Sequence, residues 1–132
     1  MWIGNAIGAL ITSVLIKATK LNYLHETAIT ITNGKLSQTV LSAFIMAVFC
    51  GFIIYWAVEN FKTNNHETGK YIGMLLMIPI FILCGFEHCV ANMFYFFFSN
   101  TYTFKMLLYL VVITLGNTTG SIILRLLKKH HK

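Results

Sequence analysis

The sequence predicts an all-α integral membrane protein, and composition is the first observation behind that prediction. Hydrophobic residues make up 57% of the 132 residues and charged residues only 11%, against about 45–50% and about 25% in typical globular domains. A soluble chain of this length leaves a large share of its surface exposed to water, so it cannot bury so many apolar side chains. The apolar runs also approach the length of about 20 residues that a membrane-spanning helix needs. Lipid is therefore the expected solvent.

Four apolar segments are read as helices of a single transmembrane domain over residues 1–132. We expect helices over about residues 2–18, 38–60, 70–98 and 105–128, with the third broken near residues 85–89. The second and fourth have the length of ordinary spans. The first is short and is followed by a polar stretch from Lys17 to Gln38.

The third segment is too long for one ordinary span. It carries Pro79, Gly85 and an ionisable pair, Glu87 and His88, within an almost unbroken apolar run. Irregular backbone at membrane depth is tolerated only where protein or a water-filled cavity satisfies its polar groups. We therefore expect this helix to break near the middle of the bilayer.

The formal charge of +6 raises the possibility of nucleic-acid binding, but the placement of the charges does not favour it. Arg125 and three lysines crowd the last eight residues, which reads as a solvated basic tail. Basic clusters beside membrane spans favour the cytoplasmic side. We expect a multi-pass protein of the cell membrane with a cytoplasmic C-terminus and no nucleic-acid partner.

Metal and cofactor sites are not expected. Cys50, Cys84 and Cys89 fall inside apolar runs without metal-ligand spacing, and their thiols should be reduced and packed. Asp is absent from the sequence. We expect no metal, no cofactor and no catalytic residues.

A short internal repeat links the first and fourth segments. "GNAIGA" begins at Gly4 and "GNTTGS" begins at Gly116. In both, small residues lie one helical turn apart, which allows close contact between helices. The repeat suggests a transporter-like symmetry in which the two segments are equivalent, and two helices of the first half are then missing.

The pair Glu87 and His88 has three possible meanings. Glu87 could staple the broken helix while His88 packs with a hydrogen-bonding partner. The pair could serve as an enzymatic acid and base or hold a metal, although no further ligands have suitable spacing. Alternatively, His88 lines a pore, because a histidine with an ordinary pKa near 6.5 exchanges protons at physiological pH. Ionisable residues at membrane depth usually face a cavity or a partner.

The nonapeptide "GFEHCVANM", residues 85–93, resembles the signature of the formate/nitrite transporter family, with Cys89 in place of a common serine. "GNAIGAL" and "GNTTGS" resemble the third and sixth helices of that family. Lys35, sixteen positions before Gly51, matches a lysine ahead of the fourth helix. The resemblance covers essentially the whole chain and implies an aquaporin-like helical bundle with a broken fifth helix, of which four of six helices are present.

The resemblance implies roles for seven residues. His88 would be the pore histidine, Phe81 an apolar constriction, Asn117 a polar neighbour of the histidine, and Lys35 a source of positive potential that gathers anions. Glu87, Asn92 and Gly85 would support the pore loop. Phe81 could also be a packing residue, and Lys35 could be a solvated loop residue. For Asn5 we favour a hydrogen bond between helices. Gly51 departs from the family, since many relatives have an asparagine there.

The implied function is a channel or transporter for small monovalent weak-acid anions: formate, nitrite or hydrosulfide. Expected partners are the anion, the lipid bilayer, further copies in a homopentamer and, if the chain is one part of a split protein, a second chain that supplies the first two helices. A truncated product or a fragment would equally explain the missing helices. The alternative function is a non-conducting remnant or an assembly subunit of such a channel.

Overall fold

The computed structural model describes residues 1–130, and these residues fold into helices with no β-strand among them. His131 and Lys132, which the sequence assigns to the basic tail, lie outside the described residues. The helices are α1 (Trp2–Lys17), a short 3-10 helix (Lys20–Leu24), α2 (His25–Ser37), α3 (Val40–Thr63), α4 (Glu67–Leu83), α5 (Cys89–Phe98) and α6 (Phe104–His130).

The helices form two compact units. The first contains Met1–Ala43 and Cys89–Val112, and the second contains Phe44–His88 and the described chain from Ile113 onwards. The single segments 40–63 and 104–130 each contribute to both units. The candidate pore histidine belongs to the second unit.

The first unit is built around α5, which packs against α1 and α2. Its core contains Ala9 of α1, Met93 and Phe96 of α5, and Leu110 of α6. Phe96 and Met93 are fully buried, and burying side chains of this size stabilises a fold by about 1.5–3 kcal/mol each in water. Much of α1 instead presents large apolar side chains at the surface, for example Ile3, Ile11 and Leu15.

The polar stretch from Lys17 to Gln38 contains helices that the sequence analysis did not predict. Thr19 caps the 3-10 helix, because its Oγ1 accepts a hydrogen bond from the amide of Leu21 at 3.1 Å. In α2, the buried Thr32 donates a hydrogen bond to Ser99 Oγ at 3.0 Å. The Thr32 hydroxyl also lies 3.3 Å from the carbonyl of Tyr95 in α5, and Leu36 of α2 packs against the core. Most residues of α2 are polar or small, so hydropathy alone misses this helix.

Two helices within residues 1–130 are long and apolar enough to cross a membrane, namely α3 and the Phe104–Lys129 part of α6. A third span is counted if α1 and the bent segment Lys20–Ser37, which meet at 108°, are taken together. The helices α4 and α5 have 17 and 10 residues, fewer than the about 20 residues of an ordinary membrane-spanning helix.

Candidate functional site

The loop Cys84–His88 separates α4 from α5, and the last turn of α4 fixes where this break begins. The amide of Phe86 donates to the carbonyl of Phe81 at 3.1 Å, and the amide of Gly85 donates to the carbonyl of Ile82 at 3.0 Å. These two bonds form a Schellman motif, which satisfies the carbonyls left without partners at a helix end. The break is therefore an ordered helix end.

Gly85 is the residue that permits this helix end. Its φ is +66°, in the left-handed region that L-residues with a Cβ adopt at a cost. The chain remains helical through Pro79, so the break lies at the glycine and not at the proline. Pro79 is tolerated because helices in membranes can re-satisfy the one carbonyl that a proline releases.

The ring of His88 lies beside the ring of Phe81. Their centroids are 5.8 Å apart and the ring planes are tilted by 39°. Both side chains are partly exposed. The backbone carbonyl of Phe81 also accepts the hydrogen bond from the Phe86 amide. Phe81, in the last turn of α4, therefore both anchors the loop backbone and contacts the imidazole.

Asn117 of α6 connects the loop to α3. Its Nδ2 donates to the backbone carbonyl of Glu87 at 2.8 Å and to the backbone carbonyl of Ala47 at 2.9 Å. Glu87 directly precedes His88 and is itself buried, with 3% of its surface exposed. The Asn117 amide thus holds the peptide that leads into the histidine, with α3 as its second anchor.

Three glycines explain how α6 comes close enough to α3 for this contact. A Cβ at Gly116 would meet the Cβ of Ala47, one at Gly120 would meet the backbone of Val48, and one at Gly51 would meet the backbone carbonyl of Asn117. All three glycines are buried. Small residues spaced by one turn let helix backbones approach closely, and the "GNTTGS" motif does so here.

Gly51 has a structural reason to be a glycine. Many relatives in the family that the sequence resembles have an asparagine at this position. In this chain the backbone of α6 occupies the space that a side chain at residue 51 would need. Gly51 also offers its carbonyl to the hydroxyl of Ser121 at 3.3 Å.

Two of the predicted site residues lie in the first unit. The ammonium group of Lys35, in the last turn of α2, lies 6.0 Å from the centroid of the Tyr95 ring, within cation–π distance. Asn92 of α5 is fully buried. The other five, Phe81, Gly85, Glu87, His88 and Asn117, lie in the second unit, where Phe81 contacts His88 and Asn117 holds Glu87.

Lys17, the first residue of the polar stretch, makes contacts that the sequence does not predict. Its Nζ donates to the carbonyl of Phe97 at 3.0 Å and to Oδ1 of Asn100 at 2.6 Å. Asn100 has a φ of 56° and ends α5 as Gly85 ends α4, since the Thr101 amide donates to the carbonyl of Phe96 at 2.9 Å. A cation at a helix C-terminus is favourable.

Within residues 1–130 no group of three or more His, Cys, Asp and Glu side chains is placed to hold a metal ion. All three cysteines are free thiols. The Cys84–His88 loop presents one imidazole beside an aromatic ring, on a backbone held by hydrogen bonds.

Residues 1–130 match the family model described as formate/nitrite transporter. The chain belongs to the formate/nitrite transporter family. The resemblance read from "GFEHCVANM" is thereby confirmed, and the protein is a membrane protein of a transporter family rather than of an enzyme family.

Similarity to individual transporters and channels accompanies this assignment. The chain is 30% identical over 131 residues to the uncharacterized transporter YwcJ of Bacillus subtilis, covering 92% of this chain and 51% of YwcJ. It is 37% identical over 60 residues to the formate channel FocA of Haemophilus influenzae, covering 46% of this chain and 21% of FocA. The chain thus spans about half the length of YwcJ.

A solved family structure shares the fold. The structure of a pentameric formate channel with formate bound matches 97% of this chain and 62% of that channel, with a TM-score of 0.80 at 23% identity. The expected fold class, an all-α membrane bundle of the formate/nitrite transporter type with a broken helix, is confirmed.

Proposed function

We propose that this chain forms part of a channel or transporter for small monovalent weak-acid anions, with formate first and nitrite and hydrosulfide next. The observation that carries the proposal is the loop Cys84–His88. It interrupts an apolar segment, and Asn117 holds it by the carbonyl directly before His88. Membership of the formate/nitrite transporter family and similarity to formate channels support the substrate class.

His88 acts as the pore histidine in this proposal. An imidazolium attracts an anion, and transfer of its proton to the anion oxygen yields a neutral acid. The neutral acid crosses an apolar constriction much more cheaply than the anion, whose desolvation costs several kcal/mol. The acid then returns its proton to the imidazole. Phe81, with its ring 5.8 Å from that of His88, forms the apolar side of this passage.

The remaining site residues support this step. Asn117, Glu87 and Gly85 fix the backbone that leads into the histidine, through the contacts already described. The buried Asn92 stabilises the start of α5. Lys35 contributes positive potential that gathers anions.

The assembly and orientation are also part of the proposal. We expect a homopentamer, as in the pentameric formate channel that shares the fold, and a single transmembrane domain. The basic end of α6 is placed in the cytoplasm by the preference of Lys and Arg for that side. A separate chain that supplies further helices would complete the pore wall.

Formate uptake into vesicles tests the proposal. The protein is reconstituted, and uptake of labelled formate is compared between the parent chain, His88→Asn and His66→Asn. His66 is an exposed histidine ahead of α4, so its variant controls for the substitution itself. We expect uptake by the parent chain and by His66→Asn. In His88→Asn we expect uptake to fall at least about tenfold, because removing a proton-transfer group usually lowers a rate by about 10²–10⁴.

Two outcomes would count against the proposal. Equal uptake by the parent chain and His88→Asn, both above empty vesicles, removes the histidine from the mechanism. Uptake by the parent chain no higher than that of empty vesicles contradicts conduction by this chain and favours an assembly subunit.

A further inference from the structure

A polar stripe runs along α6 from the loop anchor towards the end of the helix. Asn117, Ser121 and Arg125 are spaced by four residues, so they lie on one face of the helix. At 1.5 Å per residue, Arg125 lies about 12 Å along the axis from Asn117. The stripe therefore connects a cation near the helix end to the residue that holds the Glu87 carbonyl.

Two cavities of the second unit meet at Arg125. One, of about 380 Å³, is lined by Tyr55, Asn117, Thr118, Ser121, Ile122 and Arg125. The other, of about 520 Å³, is lined by Glu59, Ile122, Arg125, Leu126, Lys128 and Lys129. Ile122 and Arg125 line both cavities, and we call the surface that the two cavities share the groove.

The hydrogen-bond donors of the stripe are unequally occupied. The Asn117 amide donates to two backbone carbonyls, and the Ser121 hydroxyl lies 3.0 Å from the carbonyl of Asn117. Lys128 is paired with Glu59 at 2.5 Å. Arg125, by contrast, has no hydrogen bond or ion pair with any residue in the described part of the chain, and it is exposed in the groove.

We infer that Arg125 is a binding site for small monovalent anions of the carboxylate and nitrite type, beside a cavity that Asn117, the residue bonded to the Glu87 carbonyl, also lines. A planar guanidinium offers parallel N–H donors that match the two oxygens of such an anion. The neighbouring Lys129 adds positive charge, while Glu59 is neutralised by Lys128. This inference deepens the proposed function and rests on it for its role in conduction.

The chain itself supplies the reporter for a test, because Arg125 is its only arginine. The protein is labelled with ¹⁵N-arginine, placed in nanodiscs of zwitterionic lipid, and titrated with sodium formate at constant ionic strength adjusted with sodium chloride, whose anion has no paired oxygens. Nitrite follows as a competitor. We expect a saturable shift of the single Arg125 Nε resonance with formate, reversed by nitrite.

The control variant is Lys62→Arg, which introduces a second guanidinium on the exposed surface of the last α3 turn. In that protein the Arg125 resonance should saturate at a formate concentration at least about tenfold below that needed to shift the second resonance. Parallel, unsaturated shifts of both resonances would mean ordinary ion pairing and would overturn the inference. The inference would also be overturned if the Arg125 resonance shifts with added anionic phospholipid and not with formate, because Arg125 would then bind a lipid headgroup.

This experiment distinguishes a failure of anion binding at Arg125 from a failure of conduction. His88→Asn should lower formate uptake at least about tenfold and leave the Arg125 shift unchanged. A saturable shift in a chain that takes up no formate contradicts the proposed function alone. Uptake that persists without any Arg125 shift contradicts this inference alone.

Discussion

The side-chain amide of Asn117 donates a hydrogen bond of 2.8 Å to the backbone carbonyl of Glu87, the residue directly before His88. The same amide reaches Ala47 on α3. The position of the histidine thus depends on a residue that lies 29 positions further along the chain.

Replacing Asn117 by alanine should loosen the loop. The Glu87 carbonyl would lose its partner, and we expect a loss of about 1–3 kcal/mol in the free energy of unfolding. Faster alkylation of Cys89, measured in a Cys84→Ser background, would report the loop directly, because Cys89 is half-buried at the loop edge. Thr118→Val is the control, since its hydroxyl bonds within α6 to Thr114. Equal alkylation in both variants would contradict this role of Asn117.

Gly85→Ala should destabilise the end of α4. The φ of +66° places a Cβ in a strained conformation at a cost of about 1–3 kcal/mol. Gly34→Ala provides the comparison, because a Cβ there meets nothing within 4 Å in a helix where alanine is favoured by about 0.5–1 kcal/mol. Unfolding by sodium dodecyl sulfate in mixed micelles measures both. If both variants change the free energy of unfolding in the same direction, the left-handed conformation of Gly85 does not require a glycine.

Gly120→Ala should force α6 away from α3. The added Cβ would meet the Val48 backbone, and overpacking of this kind costs about 1–3 kcal/mol. At Gly8, the corresponding glycine of the first repeat, a Cβ meets nothing within 4 Å, so Gly8→Ala should be neutral or stabilising in this chain. The free energies of unfolding of the two variants decide the matter. A destabilised Gly8→Ala variant beside an unchanged Gly120→Ala variant would reverse the expected order.

Lys17→Met should weaken the end of α5. The variant keeps the apolar stem but removes the donor to Phe97 and Asn100, for which we expect a loss of about 1 kcal/mol. Lys20→Met, at an exposed position of the 3-10 helix, should be nearly neutral. Hydrogen exchange at the amides of residues 96–101 would locate the effect. If the amides of residues 96–101 exchange at the same rates in the parent chain and in Lys17→Met, this capping role is excluded.

The sequence predicted the break in the third segment because its signals are local. Gly85 and the pair Glu87 and His88 interrupt an apolar run, and each of these signals is visible without knowledge of the fold. Pro79, grouped with them in the sequence analysis, does not end the helix. Hydropathy cannot distinguish a tolerated proline from a helix terminus, because the difference lies in how neighbouring groups satisfy one carbonyl.

The contacts of Asn117 and Lys17 could not be predicted in the same way. Their partners are the backbone carbonyls of Glu87, Ala47 and Phe97, and every residue has a carbonyl, so no residue type marks the acceptor. Only the packing of separate helices selects one. The helix α2 escaped prediction for a related reason, since most of its residues are polar or small and one of its contacts is the hydrogen bond between Thr32 and Ser99.

The glycine contacts between α3 and α6 have a consequence for protein engineering. An asparagine transplanted from a relative to position 51 would collide with the peptide of Asn117, so that single exchange tests steric collision rather than ion selectivity. A chimera that replaces both helices as a matched pair would retain complementary backbones. Grafting studies between members of this family should therefore treat these two helices as one exchangeable cassette.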